Sequence, residues 1–284
     1  APARVGAARP VGVTMRLDAA VAARGLARSR THAAQLINAG LVSVDGAAVV
    51  KPSAPVDDAV EIAVAVSDHY VSRAAHKLLA GLDAFAVDVS GRYALDMGAS
   101  TGGFTQVLRE RGAAPVVAVD VGHGQLAPEV AAAADVIAVE GFNVRYMTPA
   151  TLAEASGMDE PPSVITGDLS FISLTHVLPA VADVAAPGGD VVLLVKPQFE
   201  VGRTGVREGL VTDPGRRADA VATVLWAAWD AGLGTYGVIA SPIVGTHGNA
   251  EYVAHLRPRG AGADPADGNP TEWLSTVNRL AGIR

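Results

Sequence analysis

From Tyr93 onward the chain alternates apolar, strand-like runs with helical segments, and this alternation limits the possible folds more than any other feature. The runs are "YALDMG", "VVAVDVG", "VIAVEG", "SVITGDLS", "DVVLLVKP" and "TYGVIASP", with helical segments near 103–111, 127–133, 174–185 and 213–231. Near-continuous apolar strands separated by helices predict a parallel sheet covered on both faces. A seventh run, "EYVAHLRP", follows the sixth after only a short glycine-containing loop. So short a connection suits an antiparallel return better than a right-handed crossover. The expected architecture is therefore α/β: a wound, mostly parallel seven-stranded sheet whose last strand is antiparallel.

The first run leads into "GASTGGF", which admits two readings. Gly98 to Gly102 spell G-x-S-x-G, the nucleophile elbow of serine hydrolases, and Ser100, Asp168 and His247 follow in the required order. The same letters suit a glycine turn that closes over a cofactor. Asp120 ends the second run, roughly 20 residues after that turn, where a carboxylate meets a ribose hydroxyl in a cofactor site. The first strand of a sheet is also an unusual place for a hydrolase elbow. In the cofactor reading Gly98, Ala99, Ser100, Thr101, Gly102, Gly103 and Phe104 form the loop and helix start, whose free N–H groups suit a carboxylate. S-adenosylmethionine has such a carboxylate, a ribose and an adenine, and no phosphate. Its adenine would lie near Glu140 and Asn143.

Four charged residues converge on the same sheet edge by topology. Asp168 ends the fourth run and Lys196 the fifth, so both stand at the carboxyl edge where ligands of wound sheets bind. An antiparallel last strand starts at that edge, with Glu251. The helix "RAAHKLLAGLDAF" precedes the first strand, and antiparallel packing would set Lys77 over the same edge. Two cations and two carboxylates beside a cofactor loop form a candidate catalytic group.

The front of the chain differs in charge. The whole carries a net charge of −7, yet residues 1–52 hold seven Arg or Lys against two Asp. A basic front on an acidic body suits an attached polyanion-binding module. Leu17–Ala23 reads as a short helix stopping at Gly25. Ser29 caps a second helix carrying the stripe Ala33, Leu36 and Ile37, and "LVSVDGAAV" turns at Asp45-Gly46 as a hairpin. Arg16, Arg24, Arg28 and Arg30 fall at helix starts and in the connection, where guanidinium groups can reach phosphates. The run "RLD…GLARSR…AQLINAGLVSVDG" resembles the S4 RNA-binding domain. Residues 54–71 read as a short strand-like exit and linker.

Cysteine is absent, which excludes disulfides and thiolate chemistry and fits a reducing cytoplasm. No apolar run approaches the roughly 18–20 residues of a membrane span. Residues 1–14 lack the apolar centre of a secretory signal and read as a flexible tail. The histidines show no metal-ligand spacing, so no metal is expected.

The stretches "VSRAAHKL", "LDMGASTGGFTQVL", "DVGHGQL", "GDLSFISL", "LLVKPQFEVGR" and "GNAEY" together resemble the TlyA family of bacterial ribosomal RNA methyltransferases, historically labelled hemolysin A, whose catalytic domain is FtsJ-like. The resemblance implies a Rossmann-like class I methyltransferase domain, S-adenosylmethionine as cofactor, and 2′-O-methylation of ribosomal RNA, with cytidine as the nucleoside. It also implies a Lys-Asp-Lys-Glu tetrad at Lys77, Asp168, Lys196 and Glu251. The implied order is a tail at 1–14, an S4-like domain at 15–66, a linker at 67–72 and the methyltransferase domain at 73–284. At the linker this chain has "DHYV", where the family carries Arg and Trp, so Asp68 and His69 depart from its pattern. The segments "VGRTGVREG" and "GLVTDPGRR" read as a mobile lid, with Arg203, Arg207, Arg216 and Arg217 available to phosphates. Two alternatives stand beside this reading: an RNA-binding assembly protein without catalysis, and a membrane-lytic protein, as the old label suggests.

Overall fold

The computed structural model describes residues 14–27, 29–64, 69–202, 206–245, 248–260, 262, 264 and 266–283. They divide into two compact units on either side of the 68–69 junction.

The first unit contains β1 (Met15–Arg16), α1 (Leu17–Ala23), α2 (Arg30–Asn38), β2 (Val42–Val44), β3 (Ala47–Ala48), β4 (Pro55–Val56) and β5 (Ile62–Val64). Ser29 caps α2 by accepting the His32 N–H at 3.1 Å. Asp45 and Gly46 both adopt positive φ (49° and 79°), the backbone that lets a two-residue turn follow the strand twist. Leu17, Ala20, Val21, Ala33, Ile37, Val42, Val56 and Ile62 form the buried centre. Residues 54–64 are more than an exit. β4 pairs with β1, and β5 lies along the free edge of β2, because a lone two-stranded hairpin is too small to stand by itself.

The second unit contains α3 (Ala75–Ala84), β6 (Ala94–Met97), α4 (Gly103–Glu110), β7 (Val116–Asp120), α5 (Pro128–Ala131), β8 (Val136–Glu140), α6 (Pro149–Ser156) and β9 (Val164–Gly167). It continues with α7 (Leu178–Val184), β10 (Asp190–Val195), α8 (Pro197–Glu200), α9 (Pro214–Asp230), β11 (Leu233–Ala240), β12 (Tyr252–Pro258) and α10 (Leu274–Ala281). Seven strands form one sheet in the order β11-β12-β10-β9-β6-β7-β8. β12 is antiparallel to both neighbours and the other pairings are parallel, as the short connection predicts.

Both faces are covered. Val192 and Leu194 pack with Leu78, Leu82, Phe104 and Leu108 of α3 and α4. Val191, Leu193 and Val195 face the opposite layer with Leu178, Val221 and Leu225. The order reverses at β6, with β7 on one side and β9 on the other. Ligands of such sheets bind outside that crevice.

Helices α6, α8 and α10 were not expected. α6 starts on a reciprocal cap between Thr148 and Thr151 with proline behind it, α8 is a single turn after Lys196, and α10 docks Val277 and Ala281 into the core. Residues 214–217, where the expected lid and the expected helix near 213–231 overlap, are the first turn of α9. There Arg217 donates to the Ala281 carbonyl at 2.9 Å, tying α9 to the end of α10. Arg203 lies outside the described residues.

Candidate active site

The loop after β6 is built by backbone demands. Gly98 and Gly102 have φ of 75° and 98°, a region that L side chains rarely enter. Space is equally short: a Cβ on Gly98 would lie 2.9 Å from Leu169 Cδ2, and one on Gly102 would lie 2.9 Å from Val130 Cγ1. At Gly103 it would meet Ser72 Cβ at 2.8 Å. Ser100 itself has a positive φ of 48°, and its N–H donates to Asp120 Oδ2 at 2.9 Å. α4 starts directly after this turn, so its first N–H groups lack helical acceptors. Ala99, Ser100, Thr101, Gly103 and Phe104 line a hollow of about 150 Å³ that extends to Asp168 and Lys196. A larger cleft of about 570 Å³ continues along Gly98, Asp120, Phe142, Asn143, Leu169 and Ile172.

Asp120 thus stands on the cleft wall as predicted, though both its oxygens already accept backbone N–H groups, from Ser100 and from Gly122. Each carboxylate oxygen keeps a second lone pair for a ligand hydroxyl. Asn143 lines the cleft while its side chain caps the following turn. Glu140 is not among the lining residues; it accepts the Gly124 N–H at 2.6 Å and so holds the loop after β7.

The four predicted charges meet at the same edge. Lys77, in the first turn of α3, places Nζ 2.6 Å from Glu251 Oε2 and 3.8 Å from Asp168 Oδ2. Lys196 Nζ lies 2.6 Å from Asp168 Oδ1, out of line for a good hydrogen bond, and donates to Ser170 Oγ at 2.8 Å. Lys77, Lys196 and Glu251 are buried, with 5%, 8% and 4% exposure. Buried charges persist only when they are paired, and here they form a chain: Glu251, Lys77, Asp168, Lys196.

Sequence reasoning missed several contributors. Ser170 follows Asp168 by two residues, so the strand-end rule could have found it. Arg73 lies one helical turn before Lys77. Burial draws its guanidinium below the ordinary value, against the opposing pull of Glu251 and Asp168. Gly245 presses on Glu251 so closely that a Cβ there would overlap the carboxylate. Asp96, one residue before Met97 on β6, is 1% exposed and accepts from Thr105 Oγ1 at 2.6 Å and Thr166 Oγ1 at 3.1 Å. Burial raises its pKa to about 6.

Beside Lys196 and Glu251 opens a third hollow of about 300 Å³, lined also by Ser170, Phe171, Phe199 and Asn249. Phe171 is 92% exposed and its ring centre lies 5.3 Å from that of Phe199. An aromatic so exposed is a surface for stacking.

For the hydrolase reading, Asp168 is engaged by two lysines, and His247 lies outside the described residues. Among the described residues no group of three metal-ligating side chains occurs.

In the first unit, Arg16 donates twice to Asp18, at 2.8 and 3.1 Å, and Arg30 reaches the same carboxylate at 3.3 Å. The Arg16 hydrogen bonds hold the Asp18 pKa down at about 2. Both arginines remain more than half exposed. Arg24 donates instead to the carbonyls of Val60 and Asp58. Arg28 lies outside the described residues.

Comparison with known proteins gives this geometry a context. Residues 70–258 match the FtsJ-like methyltransferase family and residues 15–62 match the S4 domain. A protein of Mycobacterium tuberculosis, 16S/23S rRNA (cytidine-2′-O)-methyltransferase TlyA, is 49% identical over 85% of this chain and 89% of its own length. The chain belongs to the TlyA family of FtsJ-like methyltransferases. Hemolysin A of Brachyspira hyodysenteriae, another relative, is 37% identical over 85% of this chain and 99% of its own. A solved structure described as a hemolysin from Streptococcus thermophilus superposes with a TM-score of 0.70 at 36% identity, covering 94% of this chain and 96% of that one. As an FtsJ-like enzyme of this family, the chain is an S-adenosylmethionine-dependent methyltransferase. The glycine loop leaves room for that donor: a Cβ on Gly98 would displace Leu169, which lines the crevice.

Proposed function

We propose that the protein methylates the ribose 2′-hydroxyl of a cytidine in ribosomal RNA, in the cytoplasm where ribosomes are made. The observation that carries this reading is the buried Lys77–Glu251 and Asp168–Lys196 chain beside the glycine loop. The first unit, residues 15–66, docks the RNA through Arg16, Arg24, Arg28 and Arg30, and residues 67–72 join it to the catalytic domain, residues 73–284.

The donor supplies an electrophilic methyl group when bound. Its carboxylate suits the N–H groups of Gly103 and Phe104, its ribose suits Asp120, and its adenine suits the cleft beside Asn143. The target nucleoside enters the hollow between Phe171, Phe199 and Asn249, with the base on the exposed aromatic face. The 2′-hydroxyl is a weak acid, so its oxygen must be oriented and its proton received as the methyl transfers. Lys196 stands nearest, fixed by Ser170 and Asp168; as a cation it orients the oxygen, and only its neutral amine form takes the proton. Lys77 holds Asp168 and Glu251 in place, and Arg73 adds a cation beside both carboxylates. Enclosure among buried side chains keeps these charges strong by excluding water.

Incubation of the protein and labelled S-adenosylmethionine with isolated small and large ribosomal subunits tests the proposal. Label in either RNA supports it; label in neither overturns it. A purely RNA-binding role would be favoured by a missing tetrad residue, and all four are present. A membrane-lytic role finds no helix among the described residues long and apolar enough to cross a bilayer, and vesicle leakage measured with pure protein distinguishes it.

A further inference from the structure

The hollow beside Lys196 and Glu251 has an outer wall, and one side chain attaches it. Val206 and Gly209 line that wall. Arg207 and Leu210 exchange two backbone hydrogen bonds, at 3.0 and 2.9 Å, around Glu208 and Gly209. Both turn residues have positive φ, 51° and 81°, so residues 207–210 form a tight turn of the kind that closes a hairpin. Residues 207–209 are exposed. An exposed turn with few buried apolar side chains has little of its own to hold it in position.

Asn249 supplies what the turn lacks. Its Nδ2 donates to the Gly209 carbonyl at 2.7 Å, and its Oδ1 accepts the Val211 N–H at 3.1 Å. The side chain is 3% exposed and faces the same hollow. Only a carboxamide offers a donor and an acceptor in one plane on so short a stem. Two residues later comes Glu251, whose carboxylate binds Lys77. The clamp on the wall and the tetrad carboxylate therefore share one short stretch of chain leading into β12.

We infer that Asn249 is a positioning residue: it fixes the 206–211 turn as the outer wall of the acceptor-nucleotide seat, in register with Lys196 and Glu251. The inference rests on the reading of this hollow as the acceptor seat. The donor hollow and cleft share Ser170, Phe171 and Lys196 with this seat but are lined neither by Asn249 nor by residues 206–211, so the donor is bound without the clamp.

Asn249→Asp keeps the size of the side chain and the bond from Val211 N–H, but sets an acceptor against the Gly209 carbonyl. Expected are a KM for ribosomal subunits raised roughly tenfold to a hundredfold, an S-adenosylmethionine Kd within about twofold of the parent, and faster hydrogen exchange at the amides of 206–211. Val206→Ser, a partly exposed change in the same wall that leaves the clamp intact, should raise the KM for RNA without accelerating exchange at Val211. It serves as the second variant if Asn249→Asp fails to fold. Unchanged exchange in Asn249→Asp overturns the clamp. Faster exchange with an unchanged KM, or an unchanged KM in Val206→Ser, overturns its role in seating RNA. A parent protein that transfers no methyl group to ribosomal RNA overturns the functional reading itself, and the exchange result, which needs no substrate, separates that failure from failure of the clamp.

Discussion

Lys77 Nζ and Glu251 Oε2 lie 2.6 Å apart although 174 residues separate them in the chain. Neither side chain reaches bulk water, so each depends on the other. Removing one partner of a buried pair leaves an uncompensated charge, at a cost of about 3–5 kcal/mol. Lys77→Met should be the more damaging single change, because it strips a cation from both Glu251 and Asp168. Glu251→Gln leaves Lys77 with Asp168, 3.8 Å away. The double variant Lys77→Met with Glu251→Leu should recover most of the lost stability while remaining inactive. Denaturant midpoints and methyl-transfer assays read the two properties separately; a double variant no more stable than Lys77→Met would show that the pair is not coupled.

The glycine loop predicts a different kind of loss. Gly98→Val must push into Leu169 and the Asp168 carbonyl, and Gly102→Asp must push into Val130, each from a left-handed backbone. The first change displaces a residue lining the donor crevice, and the second shifts the turn into α4 that carries the loop. Calorimetry should find S-adenosylmethionine binding weakened by roughly 100-fold or more, a loss of about 3 kcal/mol. Parent-like affinity in either variant would count against this loop as the donor site.

Asp96 should leave a mark on stability against pH. Burial lifts its pKa to about 6, from 3.8 for the free side chain. Between those values the folded chain holds a proton that the unfolded chain has released, so this group's contribution falls as pH rises from about 4 to about 6 and stays low above that. Asp96→Asn removes the titration while keeping the shape that Thr105 and Thr166 grip. The variant should gain on the parent across that window, by up to about 3 kcal/mol. Asp190 works in the opposite sense. Burial pushes its carboxyl up, but hydrogen bonds from His255, Arg92 and Arg257 outweigh this and hold it below the usual range. Its contribution is present at neutral pH and lost as pH falls, in both proteins alike, so the difference between variant and parent isolates Asp96. A difference that does not change with pH would show that Asp96 does not titrate there.

For the basic unit, Arg16 and Arg30 are held side by side on Asp18 with their guanidinium groups still exposed. Each is expected to bind RNA phosphate. Arg16→Gln and Arg30→Gln should each weaken RNA binding at low salt and reduce the salt slope by about one. Filter binding at several salt concentrations reads that slope. Asp18→Ala should loosen both arginines and weaken binding despite removing a negative charge; tighter binding would mean that the carboxylate only neutralises them.

Much of this was legible in the chain because strand ends are legible. Lys196 follows an unbroken apolar run and Asp168 a short, mostly apolar one, and a parallel sheet sends such ends to one edge. Glu251 required one further step, the antiparallel return implied by a short loop. What escaped was held by contacts between loops. Gly245 and Asn249 act through neighbours distant in sequence, and no periodicity marks them. Arg217 lay where two readings overlapped, a lid and a helix from 213, and the Asp213 cap decides for the helix. Glu140 ended a strand at the expected place, but its side chain found a nearer donor in the Gly124 N–H.

The most direct measurement is nucleoside analysis of ribosomal RNA after methyl transfer, with the parent protein and Lys196→Ala run side by side. The parent should yield 2′-O-methylcytidine, and the variant should yield less by roughly 10²–10⁴-fold while binding S-adenosylmethionine as the parent does. Methyl groups found on a base, or undiminished ribose methylation by Lys196→Ala, would contradict the account.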